Sequence, residues 1–210
     1  MIAVVDLGVS NVKSVTRAFR RIGADVVVTT QASDVERADA IVLPGVGTFR
    51  DGMARLDELQ LVDALRRAAL EHGTPTVGIC LGMQLLADES LEHGRHEGLG
   101  LVPGRVVSLE ADGDDRVPNI GWCDLHIERP SILGDKGLEG RAAYFVHSYH
   151  LECEDPRDVV ATIQHGARTV AAALERGNVI GVQFHPEKSQ DVGLAILDAV
   201  VASVARSPVR

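Results

Sequence analysis

Short apolar runs that alternate with helix-period stretches are the feature that most constrains the fold of this 210-residue chain. The runs cover residues 2–5, 24–30, 38–43 and 75–79, and only the first, which ends at Asp6, is apolar at every position. A run that is apolar at every position is typical of a strand buried on both faces, as in a parallel sheet covered by helices. Strands and helices in regular alternation therefore predict parallel βαβ units in the first half.

The stretches between the runs carry helix signals. Ser10 or Asn11 can cap the first helix, and Ser33 and Glu36 have the spacing of a capping box. The apolar face of the first helix consists of Val12, Val15, Phe19 and Ile22. Helical spacing returns at Leu56, Leu59, Leu61, Leu65 and Leu70, then in residues 83–87, and finally in residues 190–206 with Leu194, Leu197, Val201 and Val204 on one face.

The second half of the chain has a different pattern. Strand-like runs at 106–109, 144–146, 159–163, 169–174 and 179–183 follow one another with polar turns between them, and residues 175–178 resemble a hairpin connection. We predict an α/β fold, a mostly parallel twisted sheet flanked by helices with antiparallel strands in the second half. No composition shift marks a linker, so residues 1–210 are expected to form a single domain.

Composition excludes several classes of function. The net charge of −9 disfavours nucleic acid and anionic membranes as partners. No run approaches the roughly 18 apolar residues of a membrane span, and the segment 1–6 lacks the basic region of a secretory signal. The cysteines Cys80, Cys123 and Cys153 are an odd number without Cys-x-x-Cys spacing, which predicts neither a disulfide framework nor a metal site. We expect a cytoplasmic protein.

The segment Gly-Ile-Cys-Leu-Gly at 78–82 is the strongest chemical signal. It lies between a predicted strand and a predicted helix and is the thiol version of the nucleophile elbow. The sharp turn places the Cys80 thiol at a helix N-terminus, where the helix dipole favours the thiolate, and the flanking glycines avoid a clash. The alternative interpretation is a buried cysteine in a tight turn.

His185 and Glu187 supply a candidate base and its orienting carboxylate. They end a predicted strand, and an extended backbone through Pro186 would place both side chains on one face. A nucleophile needs such a pair within reach. Taken alone, the segment would more often be a strand end with a surface acid. With Cys80, it completes a Cys-His-Glu constellation.

Backbone N–H groups for an oxyanion are predicted in the segment Pro-Gly-Val-Gly at 44–47. Acyl transfer by a thiolate produces a tetrahedral oxyanion, which such donors stabilise. The paired glycines let a peptide at the strand end point its N–H outward or flip away. The candidate donors are the N–H groups of Val46, Gly47 and Leu81. By itself, the segment would more often be a plain turn that ends a strand.

Together the segments 44–47, 78–84 and 183–187 resemble the class I (triad) glutamine amidotransferases, with a match that runs from Asp6 to Ser189. The resemblance implies a flavodoxin-like sheet and no cofactor or metal. It also implies that Cys80 takes the γ-carbonyl of L-glutamine into a thioester, that His185 shuttles the proton and that Glu187 orients His185. The family's glutamine pocket corresponds to Gly47, Gln84, Glu92, Ser148 and Tyr149.

Segments 44–49, 118–122 and 144–149 look like one branch of this family, in which a glutaminase subunit passes ammonia to a separate (β/α)₈-barrel cyclase subunit of histidine biosynthesis. This resemblance implies a heterodimer with lyase activity, docked through Trp122, Tyr144 and Lys188. The nearest alternative is the glutaminase subunit of pyridoxal phosphate synthase, whose family lacks the Pro-Gly-Val-Gly-Thr-Phe and Gly-Trp blocks. A non-catalytic interaction module, with Trp122 and Tyr144 in the core, is the alternative from another class.

Some positions depart from the family pattern. Residues 6–11 read Asp-Leu-Gly-Val-Ser-Asn where Asp-Tyr-Gly-x-Gly-Asn is usual, and Asn119 and Cys123 replace the usual His and Asn on either side of the Trp. We expect these changes to affect hydrogen bonds at the partner-facing surface. The Gly-x-Gly segment at 98–100 lacks dinucleotide-binding spacing and is predicted to be loop. The His-x-x-His pairs at 93/96 and 147/150 suggest no third metal ligand.

Overall fold

The computed structural model describes residues 1–8, 11–111, 116–133 and 136–206. Its strands are β1 Ile2–Val5, β2 Val26–Thr29, β3 Ala40–Gly45, β4 Thr76–Cys80, β5 Ala87–Ser90, β6 His96–Glu97, β7 Val102–Ser108, β8 Asn119–Asp124, β9 His126–Ile127, β10 Ala142–His147, β11 Tyr149–Cys153, β12 Val159–His165, β13 Arg168–Arg176 and β14 Val179–Val182. Its α-helices are α1 Val12–Arg21, α2 Ala32–Arg37, α3 Phe49–Glu58, α4 Val62–Arg66, α5 Leu81–Leu85 and α6 Gln190–Arg206. A π-helical turn, Arg67–Glu71, continues α4.

An eight-stranded mixed sheet organises the chain, in the order β2-β1-β3-β4-β14-β13-β12-β9. The first five strands in this order, β2, β1, β3, β4 and β14, run parallel to one another. The last three, β13, β12 and β9, add antiparallel pairs. The predicted α/β fold with late antiparallel strands is confirmed. Because Gly45 pairs with Cys80 and Val182 pairs with Ile79, the three motif-bearing strands end side by side. This carboxyl edge of the parallel strands is where such sheets place their ligands.

Helices cover both faces of the sheet. Ile2 and Val4 of β1 face a cluster that includes side chains of α1 and α6, while Ala3 and Val5 face one that includes side chains of α2, α3 and α4. The predicted burial of β1 on both faces is therefore confirmed. No helix among the described residues is long and apolar enough to cross a membrane.

Two smaller sheets, which the sequence patterns did not indicate, flank the large one. One pairs β10 with β8, and the other has the order β11-β7-β5-β6. The patterns missed β5, β6, β8, β9 and β11. These strands are short or alternate polar with apolar residues, and β8, β9 and β11 pair with strands distant in the sequence, so local composition carries little signal. The predicted hairpin at 175–178 is present between β13 and β14, with Gly177 at φ 59°.

The helix termini differ from the sequence predictions. Asn11 occupies the N-cap of α1 but makes no side-chain capping bond, and Ser10 lies outside the described residues. The predicted capping box in α2 is wrong, because Gln31 is the N-cap and Ser33 is already helical. Asp34 of that turn instead accepts a hydrogen bond from Thr29 Oγ1 at 2.7 Å.

The helical stretch predicted between Leu56 and Leu70 is divided in the structure. Gln60, at φ 56°, separates α3 from α4, and Leu70 is exposed. Helix α5 begins at Leu81, earlier than predicted, and Ala87 belongs to β5. In α6 the fully buried side chains are Val192, Ile196, Leu197 and Val200, whereas Leu194 and Val201 are half-buried and the side chain of Val204 lies outside the described residues. The Gly-x-Gly segment at 98–100 is a loop, as predicted.

Candidate active site

Cys80 lies at a strained turn between β4 and α5. It is the last residue of the strand and the N-cap of the helix, with φ 55° and ψ −112°, a conformation that L-residues rarely adopt. A Cβ on Gly78 would lie 2.5 Å from the Gly82 carbonyl oxygen, and one on Gly82 would lie 1.7 Å from the Leu43 carbonyl oxygen. Both glycines are required by close backbone approach, which is the reason the sequence pattern indicated.

His185 and Glu187 form a buried pair. The His185 Nδ1 lies 2.9 Å from the Glu187 Oε1, and their side chains are 4% and 1% exposed. The chain does not stay extended here, so the predicted geometry was wrong in detail. His185 is extended, but Pro186–Lys188 form a 3₁₀ turn, and that turn brings the carboxylate back to the ring.

Ser189 holds this turn against β10 and was not identified from the sequence. Its hydroxyl donates to the His185 carbonyl oxygen at 2.7 Å and accepts from the Tyr144 N–H at 3.0 Å. The His185 N–H in turn donates to the Tyr144 carbonyl oxygen at 2.9 Å. The position of the imidazole is therefore coupled to the strand that carries Tyr144.

The protonated form of His185 is favoured by its neighbours. Burial works to lower the pKa of His185, but the hydrogen bonds and charges of Cys80 and Glu187 raise it to about 9. The imidazolium form of the ring is therefore favoured, and the ring lies between a sulfur and a carboxylate. Such a group can deliver a proton to a leaving amine and recover one from water.

Gln183 is a polar residue at the site that sequence reasoning missed. It is fully buried, and its Nε2 donates to Cys80 Sγ at 3.7 Å. The Cys80 Sγ also lies 3.8 Å from the Val146 carbonyl oxygen. An amide between Val182 and Phe184, at the end of an otherwise apolar buried strand, was the signal that could have identified it.

An open cleft of about 480 Å³ lies over Cys80. Every residue predicted for the glutamine pocket or for the oxyanion donors lines this cleft. The Cys80 sulfur, the His185 imidazole and one of the residues predicted for docking line it as well. The lining includes Val46, Gly47, Cys80, Leu81, Gln84, Glu92, Ser148, Tyr149, His185 and Lys188. Glu187 is not part of the cleft wall but lies behind His185.

Two polar side chains of the cleft are anchored by backbone groups. Gln84 Nε2 donates to the Tyr149 carbonyl oxygen at 2.9 Å. Glu92, which is 8% exposed, accepts a 2.6 Å bond from the Phe49 N–H at the first turn of α3. A carboxylate at a helix N-terminus satisfies an otherwise unpaired donor, so the Glu92 side chain is held in a defined position.

The oxyanion segment follows β3 directly beside the nucleophile turn. A Cβ on Gly45 would lie 3.1 Å from the Leu81 side chain, whereas one on Gly47 would meet nothing within 4 Å. Gly47 adopts φ 106°. Position 47 therefore requires glycine for its backbone conformation, whereas position 45 requires glycine because a side chain there would crowd Leu81.

Trp122, Tyr144 and Lys188 form one surface, which together with Ile120 we call the aromatic face. Trp122 pairs with Tyr144 across β8 and β10, with ring centroids 5.8 Å apart. The Lys188 Nζ lies 5.7 Å from the centroid of the Tyr144 ring. Ile120 and Trp122 are 62% and 49% exposed, so the alternative of a core Trp122 is wrong.

Asn119 and Cys123 lie on the opposite face of β8 from Trp122, where the alternation of burial turns them inward. Asn119 Oδ1 is 3.7 Å from the Cys123 Sγ, and its Nδ2 is 3.0 Å from the Nε2 of His147. The expectation that these substitutions alter the partner-facing surface is therefore not supported, because their hydrogen bonds point into the protein. Leu7, in place of the usual Tyr, is also buried.

The histidine pairs take other roles. Burial lowers the pKa of His147 to about 4, and its Nδ1 lies 2.9 Å from the Tyr149 carbonyl oxygen. His93 packs edge-on near the Tyr149 ring, with centroids 6.3 Å apart. In the described part of the chain, no three His, Cys, Asp or Glu side chains are grouped closely enough to hold a metal ion.

Comparison with known proteins agrees with this geometry. The family model described as glutamine amidotransferase class-I matches residues 3–200. A solved structure described as a glutamine amidotransferase superimposes with a TM-score of 0.74 over 95% of this chain and 98% of its own, at 20% identity, which shows a shared fold. The chain belongs to the class-I glutamine amidotransferases, a family of enzymes.

The relatives of the chain indicate which branch of this family it belongs to. The chain is 45% identical over 202 residues to imidazole glycerol phosphate synthase subunit HisH of Syntrophotalea carbinolica, covering 94% of this chain and 97% of the relative. It is 46% identical over 202 residues to the same subunit of Bacillus licheniformis, covering 94% of each. Within its family the chain thus groups with the HisH subunits of imidazole glycerol phosphate synthase, and the branch predicted from the sequence blocks is confirmed.

Proposed function

We propose that this chain is the glutaminase subunit of an imidazole glycerol phosphate synthase and hydrolyses glutamine to glutamate and ammonia. The observation that carries the proposal is the arrangement of Cys80, His185 and Glu187, with a pKa of about 9 at His185. The carboxylate on one side of the ring favours the imidazolium, which pairs with the sulfur on the other side. That pair supplies the nucleophile and the general acid together.

The reaction proceeds through a thioester. The Cys80 sulfur attacks the γ-carbonyl carbon, and the N–H groups of Val46, Gly47 and Leu81 stabilise the oxyanion. The carbon–nitrogen bond breaks as His185 gives its proton to the leaving nitrogen, which departs as ammonia. His185 then takes a proton from water, the hydroxide attacks the thioester, and the carbon–sulfur bond breaks to release glutamate and the thiolate.

The cleft suits an amino-acid substrate. The carboxylate of Glu92 binds the substrate ammonium, and its bond from the Phe49 N–H holds it ready. Gln84, Ser148, Tyr149 and the backbone at Gly47 provide the remaining polar contacts around glutamine, including those to its α-carboxylate. With these contacts at its α-carbon end, the glutamine extends its γ-amide toward Cys80, beside the cleft-lining residues Val46, Gly47 and Leu81.

The ammonia passes to a (β/α)₈-barrel cyclase subunit, with which the chain forms a heterodimer in histidine biosynthesis. Ammonia released to bulk water would be protonated and diluted, so the acceptor has to dock beside the cleft. The aromatic face meets this need, because Lys188 belongs both to the face and to the cleft wall. Exposed Trp and Tyr side chains are favoured anchors of protein interfaces.

The alternatives receive less support. The HisH relatives at 45–46% identity favour this branch over the glutaminase of pyridoxal phosphate synthase. A paired, buried His185 and Glu187 beside a strained cysteine favour catalysis over a non-catalytic module.

Both core clusters pack on the same sheet, which supports a single domain over residues 1–210. The thiols Cys80, Cys123 and Cys153 are free, which fits a protein of the reducing cytoplasm.

The test uses Cys80→Ala in complex with the cyclase. Glutamate release and glutamine-dependent cyclisation should both be lost, while cyclisation supported by ammonium salts should persist, because only ammonia generation needs the thiolate. Cys153→Ala is the matched control, since Cys153 lies outside the cleft, and it should keep both activities. Loss of the ammonium-supported reaction in a folded, partner-bound Cys80→Ala complex would contradict the proposal.

A further inference from the structure

Gln183 is a buried polar residue beside Cys80 that has no role in the reaction described above. Its side chain is fully buried, and both of its polar ends contact groups of the site. The Nε2 donates to Cys80 Sγ at 3.7 Å, and the Oε1 accepts from Gln84 Nε2 at 3.1 Å. A buried carboxamide that satisfies both its ends in this way has a fixed orientation.

The direction of these bonds follows from one backbone group. The Tyr149 carbonyl oxygen can only accept, so Gln84 must turn its Nε2 toward it, at 2.9 Å. The second N–H of that nitrogen then faces the Oε1 of Gln183. As a result, the Nε2 of Gln183 is left to face the sulfur, which must act as the acceptor.

A second set of hydrogen bonds reaches the Tyr149 carbonyl oxygen from β10 and β8. His147 Nδ1 lies 2.9 Å from the Tyr149 oxygen and must donate to it. Burial keeps the pKa of His147 at about 4, so the neutral ring has a single N–H and its Nε2 accepts from Asn119 Nδ2 at 3.0 Å. A continuous set of hydrogen bonds therefore connects the inner face of β8 with Cys80.

We propose that Gln183 is a positioning residue that donates its Nε2–H to the Cys80 thiolate, and that the hydrogen bonds from Asn119 through the Tyr149 carbonyl and Gln84 hold it in that orientation. This rests on the proposed function only in that Cys80 is the nucleophile. A donor aimed at the sulfur stabilises the thiolate over the thiol and fixes the direction of attack. A hydrogen bond to a charged acceptor changes such an equilibrium by about tenfold or more.

Alkylation of the full chain by iodoacetamide tests this without glutamine. The rate at Cys80 is measured against pH and located by mass spectrometry of peptides. In Gln183→Glu the Oε1 acceptor for Gln84 remains, but the donor to the sulfur is lost. We expect the midpoint of the alkylation rate against pH to rise by about one pH unit. Gln183→Glu also adds a carboxylate beside the sulfur, so Gln183→Met, which removes the donor without adding a charge, should raise the midpoint in the same direction. The other ionisable groups around the sulfur are unchanged in both variants, namely His185, Glu187, His147, Glu92, His93 and Lys188.

Internal references and a matched variant accompany the measurement. Burial raises the pKa of Cys123, and it raises that of Cys153 to about 12, so both should react slowly and equally in all proteins. Gln164→Leu removes an exposed amide that bonds only to Thr169, and it should behave as the unaltered chain does. In glutaminase assays with the cyclase, Gln183→Glu should lower kcat about tenfold or more with little change in KM.

Unchanged pH dependence of Cys80 alkylation in folded Gln183→Glu would overturn the proposal, whatever the glutaminase rate. If the unaltered complex itself released no glutamate, the proposed function would fail instead. Should Gln183→Glu not fold, Asn119→Leu tests the far end by removing the donor to His147. It should raise the midpoint by a smaller amount, whereas Asn119→His, which keeps an N–H donor, should not. Equal midpoints in Asn119→Leu and the unaltered chain would then refute it.

Discussion

Glu187→Gln isolates the charge of the carboxylate that orients His185. The substitution keeps an oxygen that can accept from the His185 Nδ1, which now lies 2.9 Å from the Glu187 Oε1, but removes the negative charge. The buried pair has little solvent to screen it, since the two side chains are 4% and 1% exposed. We therefore expect the variant to fold with the ring in place.

The magnitude follows from the pKa of His185. It is raised from 6.5 to about 9 against the effect of burial, by the hydrogen bonds and charges of Cys80 and Glu187. That difference corresponds to about 3 kcal/mol in favour of the imidazolium. If Glu187 supplies about half of it, the pKa of His185 should fall by about one unit, which corresponds to about a tenfold weaker preference for the imidazolium. Cys80→Ala should do far more harm.

The assay is glutamate release by the complex between pH 6 and pH 10. The alkaline limb of the rate profile reports loss of the imidazolium, so it should move down by about one pH unit in Glu187→Gln. Glu154→Gln, an exposed carboxylate outside the cleft, is the control and should leave the profile unchanged. An unmoved alkaline limb in a folded variant, or a loss as complete as in Cys80→Ala, would refute the reasoning.

The remaining predictions concern docking, latency, packing and pH. Trp122→Ala and Lys188→Ala should each weaken cyclase binding, the former about thirtyfold as a central anchor, and unchanged titration calorimetry would exclude the aromatic face. Glutamate release should rise about 10²–10³-fold when the cyclase and its nucleotide substrate are added, because docking completes the oxyanion donors; equal rates would contradict this. Gly82→Ala should lower the free energy of unfolding by about 3 kcal/mol or more, measured by urea denaturation, since its Cβ would lie 1.7 Å from a carbonyl oxygen. Because the pKa of His147 is about 4 in the folded protein, the protein should become less stable as pH falls from 6.5 to 4. Because the pKa of His185 is about 9, the protein should also become less stable as pH rises from 6.5 to 9. The melting temperature measured against pH should therefore have a maximum near 6.5.

Local patterns determined a large part of this protein. The continuous apolar run of β1 predicts burial on both faces, because a strand's two side-chain rows both need an apolar environment. The glycines at 78 and 82 predict the elbow around Cys80, because the clash they avoid involves backbone only a few residues or one strand away. Both signals occupy short consecutive stretches of the chain, so the amino-acid sequence alone is enough to identify them.

Other features were decided only by the tertiary structure. The turn at Pro186 brings Glu187 to His185 where an extended strand was expected, and Ser189 fixes that turn through a strand some 45 residues earlier. The inward direction of Asn119 depends on how β8 pairs with β10. The amide of Gln183 finds its partners in Gln84 and Cys80, about a hundred residues away in the chain. Hydrogen bonds between distant segments depend on the packed fold, because no local spacing records which buried polar groups will meet.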